Sequence, residues 1–176
     1  MTDDPRNGLL ALLEPMLSAL AQQLGAQATP PAPNVLSTPE AARVLTAWLG
    51  ERWPVSSPEI LAIHTALRRG VADGWLCDRG EAHARFSRLA KPTAATHEFS
   101  VDVVSLDGAA LEHGHPAGEI TLALPATTQD ADARFDGHAA GWIVLTAGSR
   151  HVPTVTNGRM LLLYALPGGA IAWNPS

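Results

Sequence analysis

Several things are scarce in this chain, and each scarcity excludes something. There is one cysteine, Cys77, in 176 residues, so no disulfide can form within the chain. A lone thiol fits a reducing compartment. No apolar run approaches the roughly 20 residues that a membrane-spanning helix needs. Charged residues make up 16% of the chain, the net charge is -5, and no long run of one sign occurs. A nucleic acid or an anionic membrane surface therefore finds no electrostatic footprint, and neither is an expected partner. The opening Thr2-Asp3-Asp4 lacks the basic stretch and apolar core of a signal peptide, which makes a cytoplasmic location the expectation. Internal repeats are absent, and the one biased tract is a short proline-rich segment, Thr29-Pro30-Pro31-Ala32-Pro33-Asn34, expected to be an extended linker.

What is present is an apolar share of 46%, ordinary for a chain that buries a core. The texture changes near residue 92. Before it, alanine and leucine recur at helical spacing. Leu9, Leu10, Leu12, Leu13, Leu17, Leu20 and Leu24 fit one helical face, with Gly25 as a stop and Pro15 as a kink or a later start. Ser37 or Thr38 caps a second helix whose inward residues are Val44, Leu45, Trp48 and Leu49. Ser57-Pro58-Glu59 repeats the start signal for a third, with Ile60, Ile63, Leu67 and Val71 as its stripe and Gly74 at its end. Residues 75–91 are ambiguous: Trp75-Leu76-Cys77 and Ala84–Leu89 could form a hairpin about Asp78-Arg79-Gly80-Glu81. Three helices and a hairpin also resemble a winged helix, which the net charge disfavours.

From Phe99 the period becomes two. Phe99, Val101 and Val103 alternate with Ser100, Asp102 and Val104. Glu119–Leu124, Trp142–Leu145, Met160–Leu166 and Ala170–Trp173 follow as strands separated by glycine turns. The expected fold is α+β: a helical N-terminal region over 1–91, with the hairpin at its end as one reading, then a small antiparallel barrel over 92–176.

The chemistry concentrates in this second part. His113 and His115 are one residue apart, so on a strand both rings share a face, about 7 Å apart at Cβ. Pro116-Ala117-Gly118 permits a sharp turn, after which Glu119 can return to the same point. His151 follows the turn Ala147-Gly148-Ser149, where antiparallel packing can set it opposite the first pair. Three imidazoles and a carboxylate suit a divalent transition metal, Fe, Mn, Zn, Ni or Co, with positions left for water and substrate. The other histidines, His64, His83, His97 and His138, lack such company and read as surface or structural.

Gly108–Glu119, with its His113-x-His115 and Glu119, resembles the first cupin motif, and Gly141–His151 resembles the second. The spacer after Gly108 is one residue short, the closing glycine of motif one is missing, Thr146 stands where proline is common, and no asparagine follows His151. A narrower resemblance covers more of the chain. His113-Gly-His115-Pro-Ala-Gly-Glu119-Ile120, Ala133–His138, Gly141-Trp142, Gly148–Val155, Leu166–Ile171 and Gly74–Cys77 are similar to the 4-hydroxylaminobenzoate lyases. The resemblance implies a cupin jelly roll and conversion of 4-hydroxylaminobenzoate to 3,4-dihydroxybenzoate (protocatechuate) and ammonium in nitroaromatic degradation. It implies His113, His115, Glu119 and His151 as metal ligands, with Glu119 as a general base if metal is dispensed with.

An aromatic acid also needs a cation for its carboxylate and a slot for its ring. Arg134, Arg150 and Arg159 are the available arginines, with Arg134 preferred. Arg150 neighbours His151 and should point away from the metal. Trp142 and Tyr164 are the slot candidates, and ordinary core packing is the competing reading for both. Two other functions remain open: another cupin enzyme, such as an iron-dependent dioxygenase of a small aromatic, and a non-catalytic small-molecule sensor. A sheet this short often covers its edges with a second subunit, so a homodimer is expected.

Overall fold

Thr38 and Ser57 each stand one residue ahead of a proline, and both side chains accept a backbone N–H three residues on, from Ala41 at 3.1 Å and Ile60 at 3.3 Å. These caps satisfy donors that the first helical turn leaves orphaned. They open α2 (Pro39–Arg52) and α3 (Pro58–Ala72), which follow α1 (Pro5–Ala26). The computed structural model describes residues 4–26 and 36–173, so the proline-rich segment lies outside the described residues. The first helix runs through Pro15 without ending there. One backbone bond is forfeited at the proline, while Leu9, Leu13, Met16, Leu17 and Leu20 bury their side chains on either side of it.

The helical stripes differ from expectation at their margins. Leu12 and Val44 point outward, and Met16 and Ala42 take inward places. Residues 75–77 are not a strand. Trp75 and Leu76 donate their N–H groups to the carbonyl of Gly70, closing the end of α3, and Cys77 has φ +52. The hairpin lies later, as β1 (Arg79–Glu81) and β2 (Ala84–Ala90).

β2 pairs antiparallel with β3 (Phe99–Ala109). The hairpin thus belongs to the sheet, and the change in texture near residue 92 falls inside it. The remaining strands are β4 (His113–His115), β5 (Glu119–Pro125), β6 (Arg134–Phe135), β7 (Gly141–Leu145), β8 (Ser149–His151), β9 (Thr154–Pro167) and β10 (Ala172–Trp173). A seven-stranded antiparallel sheet has the order β1-β2-β3-β9-β5-β7, with β6 on the start of β9; a three-stranded sheet has the order β10-β4-β8. Among the described residues no ladder joins the two sheets, so the jelly-roll arrangement is an open sandwich and not a closed barrel. The fold class is the α+β one expected, helices followed by antiparallel sheet of cupin type.

Period-two alternation gives the large sheet two different faces. On β9, Leu161, Leu163 and Ala165 join the cluster packed by all three helices, together with Ile120, Leu122 and Leu124 of β5 and Val101 and Val103 of β3. Met160, Leu162, Tyr164 and Leu166 turn the other way and pack with Phe135 and Val155. No helix among the described residues is long and apolar enough to cross a membrane.

Candidate metal centre

The short sheet holds three imidazoles on one side. His113 and His115 are alternate residues of β4, and the antiparallel register sets His151 of β8 directly opposite His113. The fourth group comes from the large sheet. Between β4 and β5 the chain turns at Gly118 (φ +89), whose N–H donates to the His115 carbonyl at 3.1 Å. A side chain at Gly118 would meet the Leu145 carbonyl and Leu36, so this turn requires glycine. The Gly148 N–H donates to the same His115 carbonyl at 2.8 Å, tying the turn before β8 to β4. Glu119 then enters β5 on the face opposite Ile120, Leu122 and Leu124.

One donor atom from each of His113, His115, Glu119 and His151 lies within 4.8 Å of the other three. Glu119 and His115 are almost fully buried. Glu119 Oε1 accepts the Thr121 hydroxyl at 2.6 Å, while Oε2 has no hydrogen bond. Oε2 is 3.0 Å from His115 Nε2 without the alignment of a bond, and His115 Nε2 is 3.1 Å from His151 Nε2. Outer partners orient two rings. His113 Nδ1 donates to the Leu111 carbonyl at 3.0 Å, and His151 Nδ1 to Asp136 Oδ2 at 2.6 Å. Each bond leaves Nε2 with its lone pair toward the cluster. A buried carboxylate oxygen without a donor, facing imidazole nitrogens that carry lone pairs, is the donor set a divalent cation fits.

The surroundings act differently on the two oriented rings. Burial disfavours the charged form of His113 and holds its pKa below the ordinary value. Burial acts the same way on His151, but the Asp136 hydrogen bond and the charges of Glu119 and Asp136 outweigh it and raise its pKa. The buried Tyr164 phenol is pushed well above its usual value by desolvation, with Glu119 and Asp136 adding to the effect, so it keeps its proton.

The site opens into a cavity of about 900 Å³ between the sheets, which His113, His115, Glu119 and Tyr164 all line. The other sequence candidates lie elsewhere. Trp142 pairs with Leu122 across β7 and β5, so it shares the helix-covered face; its indole N–H donates to the Trp53 carbonyl at 2.9 Å. In the two-residue β6, Phe135 takes the inward place against His151 and Tyr164, which sends Arg134 outward, where it bonds to the carbonyls of Asp132 and Ala133. Arg150 ion-pairs with Glu112 at 3.6 Å, and Arg159 with Asp107 at 3.5 Å. Sequence reading missed Asp136, covered only as part of the Ala133–His138 stretch, and Thr121, although its place two residues after Glu119 was signal enough for a shared face. It also missed the β2 side of the cavity, because the hairpin was set out of register.

Three histidines and a glutamate at the mouth between two antiparallel sheets define a protein of cupin type with a site compatible with a divalent metal. Residues 34–173 match the family described as PnbB, 4-hydroxylaminobenzoate lyase. The chain belongs to this 4-hydroxylaminobenzoate lyase family and is an enzyme, a carbon–nitrogen lyase. A 4-hydroxylaminobenzoate lyase of Pseudomonas putida is 32% identical over 145 residues, covering 72% of this chain and 81% of that protein. One from Nocardioides sp. (strain LMS-CY) is 29% identical over 148 residues, covering 80% and 88%. Among solved structures, an RmlC-like cupin protein from Ralstonia eutropha superposes with a TM-score of 0.36 at 14% identity, over 50% of this chain and 58% of that one. The DMSP lyase DddQ from Ruegeria pomeroyi does so with 0.41 at 19% identity, over 98% of both.

Proposed function

We propose that the chain converts 4-hydroxylaminobenzoate and water to 3,4-dihydroxybenzoate and ammonium, with His113, His115, Glu119 and His151 holding a divalent metal. The observation that carries this is the convergence of four donors on one point at the wall of a cavity large enough for a substituted benzoate, in a chain of this family. Overall the reaction is redox-neutral: the N–O bond breaks, oxygen enters the ring beside the nitrogen, and the C–N bond is hydrolysed. A metal bound there supplies Lewis acidity and a bound water of lowered pKa.

The protein's own groups have separate tasks. Thr121 fixes one oxygen of Glu119 and leaves the other pointing at the imidazoles. Asp136 sets the ring of His151. Tyr164, which keeps its proton and lines the same cavity, is the group proposed to donate a hydrogen bond to the oxygen leaving nitrogen. The same free Glu119 oxygen supports the second reading of that residue, a general base accepting a proton from water.

The test is an anaerobic assay of purified protein with 4-hydroxylaminobenzoate, coupled to elemental analysis and repeated after chelation. Equimolar 3,4-dihydroxybenzoate and ammonium without oxygen, lost on chelation and restored by one metal, is the expected result. Turnover that survives full metal removal transfers the role to Glu119 as base. A product that forms only with oxygen overturns the lyase reading in favour of a dioxygenase.

A further inference from the structure

The cavity has a second end, formed by the hairpin. The register runs Thr121 (β5), Tyr164 (β9), Asp102 (β3), Arg88 (β2), one residue opposite the next across four neighbouring strands. Glu119, Tyr164, Asp102 and Arg88 all line the cavity. Three interstrand steps separate Thr121 from Arg88, about 14 Å between backbones. Glu119, on the same face as Thr121, and Arg88 thus line the cavity from opposite sides of a span on the scale of a para-substituted benzoate with its hydrogen bonds.

Arg88 is held in place. Its Nε donates to Asp102 Oδ1 at 2.9 Å, and the Ser100 hydroxyl donates to the other Asp102 oxygen at 3.0 Å. Its two terminal nitrogens have no acceptor among the described residues and form a planar pair that matches a carboxylate. The other lining cations differ. Arg79 lies one strand further out, stacked on Phe86 and paired with Asp78, and Lys91 lies beyond the end of β2. Beside Tyr164 and Asp102 the lining is largely apolar, with Val104, Leu106 and Leu166 of the large sheet and Ile171 just before β10. Three of the chain's exposed large apolar side chains, Phe86, Leu111 and Trp173, line the same cavity, and Trp173 lies 5.0 Å from His113 between ring centroids. Apolar surface left open around a polar pocket marks a ligand site.

We infer that Arg88, oriented by Asp102 and Ser100, binds the carboxylate of an aromatic acid whose ring lies along the cavity and whose para substituent reaches the His/Glu cluster. This rests on the proposed reading of the site as one for a 4-substituted benzoate, and it assigns the cation that reading lacked.

The test uses the intact protein and two unreactive probes, 4-aminobenzoate and aniline, titrated calorimetrically into the parent chain and Arg88→Gln. Melting temperature and metal content of both proteins are measured alongside. The expected result is a loss of about ten- to a hundredfold in 4-aminobenzoate affinity in Arg88→Gln. Aniline, without a carboxylate, binds both proteins alike, and Arg88→Lys recovers part of the loss. A parent chain that does not prefer 4-aminobenzoate to aniline, or a variant that binds 4-aminobenzoate as well as the parent, overturns the inference. The two readings fail separately. Arg88-dependent binding without lyase turnover sinks only the proposed function, and turnover with unchanged 4-aminobenzoate binding in Arg88→Gln sinks only this one.

Discussion

The two faces of the seven-stranded sheet are built from the same strands and have opposite characters. One face is sealed by three helices and is mainly apolar, from Leu161 and Leu163 on β9 to Ile120, Leu122 and Leu124 on β5, with Ser87 and Ser105 as its buried hydroxyls. The other faces a cavity and mixes Leu162 and Leu166 with Tyr164, Glu119 and Thr121. The residues differ by one position along each strand. A one-residue slip of β5 would therefore exchange its site for its core. The helix-covered face sets that register, because burying Glu119 against the helices would strand a charge in apolar surroundings. The helices stabilise the chemistry without touching it.

That contrast can be broken from either side. The largest effect is expected on the cavity side: His115→Ala removes the imidazole nearest both Glu119 and His151 and, on the proposed reading, should bring turnover and bound metal to background, while circular dichroism stays that of the parent. On the helix side, Leu122→Ala opens a cavity in the closed face and should cost about 2–5 kcal/mol of unfolding free energy. Denaturant titration measures it, and kcat per folded molecule should change little. A loss of kcat equal to that of His115→Ala would show that the faces are not separable.

Asp136→Asn tests the cavity side more gently. The side chain keeps its shape but loses the charge that orients His151, and metal affinity, read by competition with a chelator, should fall about 10- to 100-fold. The smallest effect is Thr38→Ala at the start of α2. Losing that cap should cost about 1 kcal/mol, seen as a lower melting temperature with KM unchanged. A raised KM would mean that α2 reaches the site after all.

How much of this was legible in the sequence follows from which interactions are local. Helix starts were readable because a cap at Thr38 or Ser57 bonds only three residues away. The convergence of His113, His115, Glu119 and His151 was readable because strand period and a glycine turn carry direction over a few residues. Arg134 and Trp142 were not. Each is a plausible ring or carboxylate partner by type, but Phe135 and Leu122 decide which way they face, and those choices depend on what packs above the strand. The β2 wall was hidden for a related reason: closing the end of α3 onto Gly70 consumes residues 75–77, which shifts the hairpin and brings Arg88 into line with Asp102.

By itself, then, the sequence determined three helices, two of them with readable caps, a set of alternating strands, and four metal-type donors: three at spacings that one strand pair can gather and a fourth just past a glycine turn. Period and capping act within a few residues, so no partner element is needed to read them. Only the tertiary structure decided that the hairpin joins the sheet, that the sheets face each other without closing, that Asp136 backs His151, and that Tyr164 and Arg88 meet the cavity while Arg134 and Trp142 do not. Those outcomes depend on which of two strand faces is covered, and covering is a property of the packed whole.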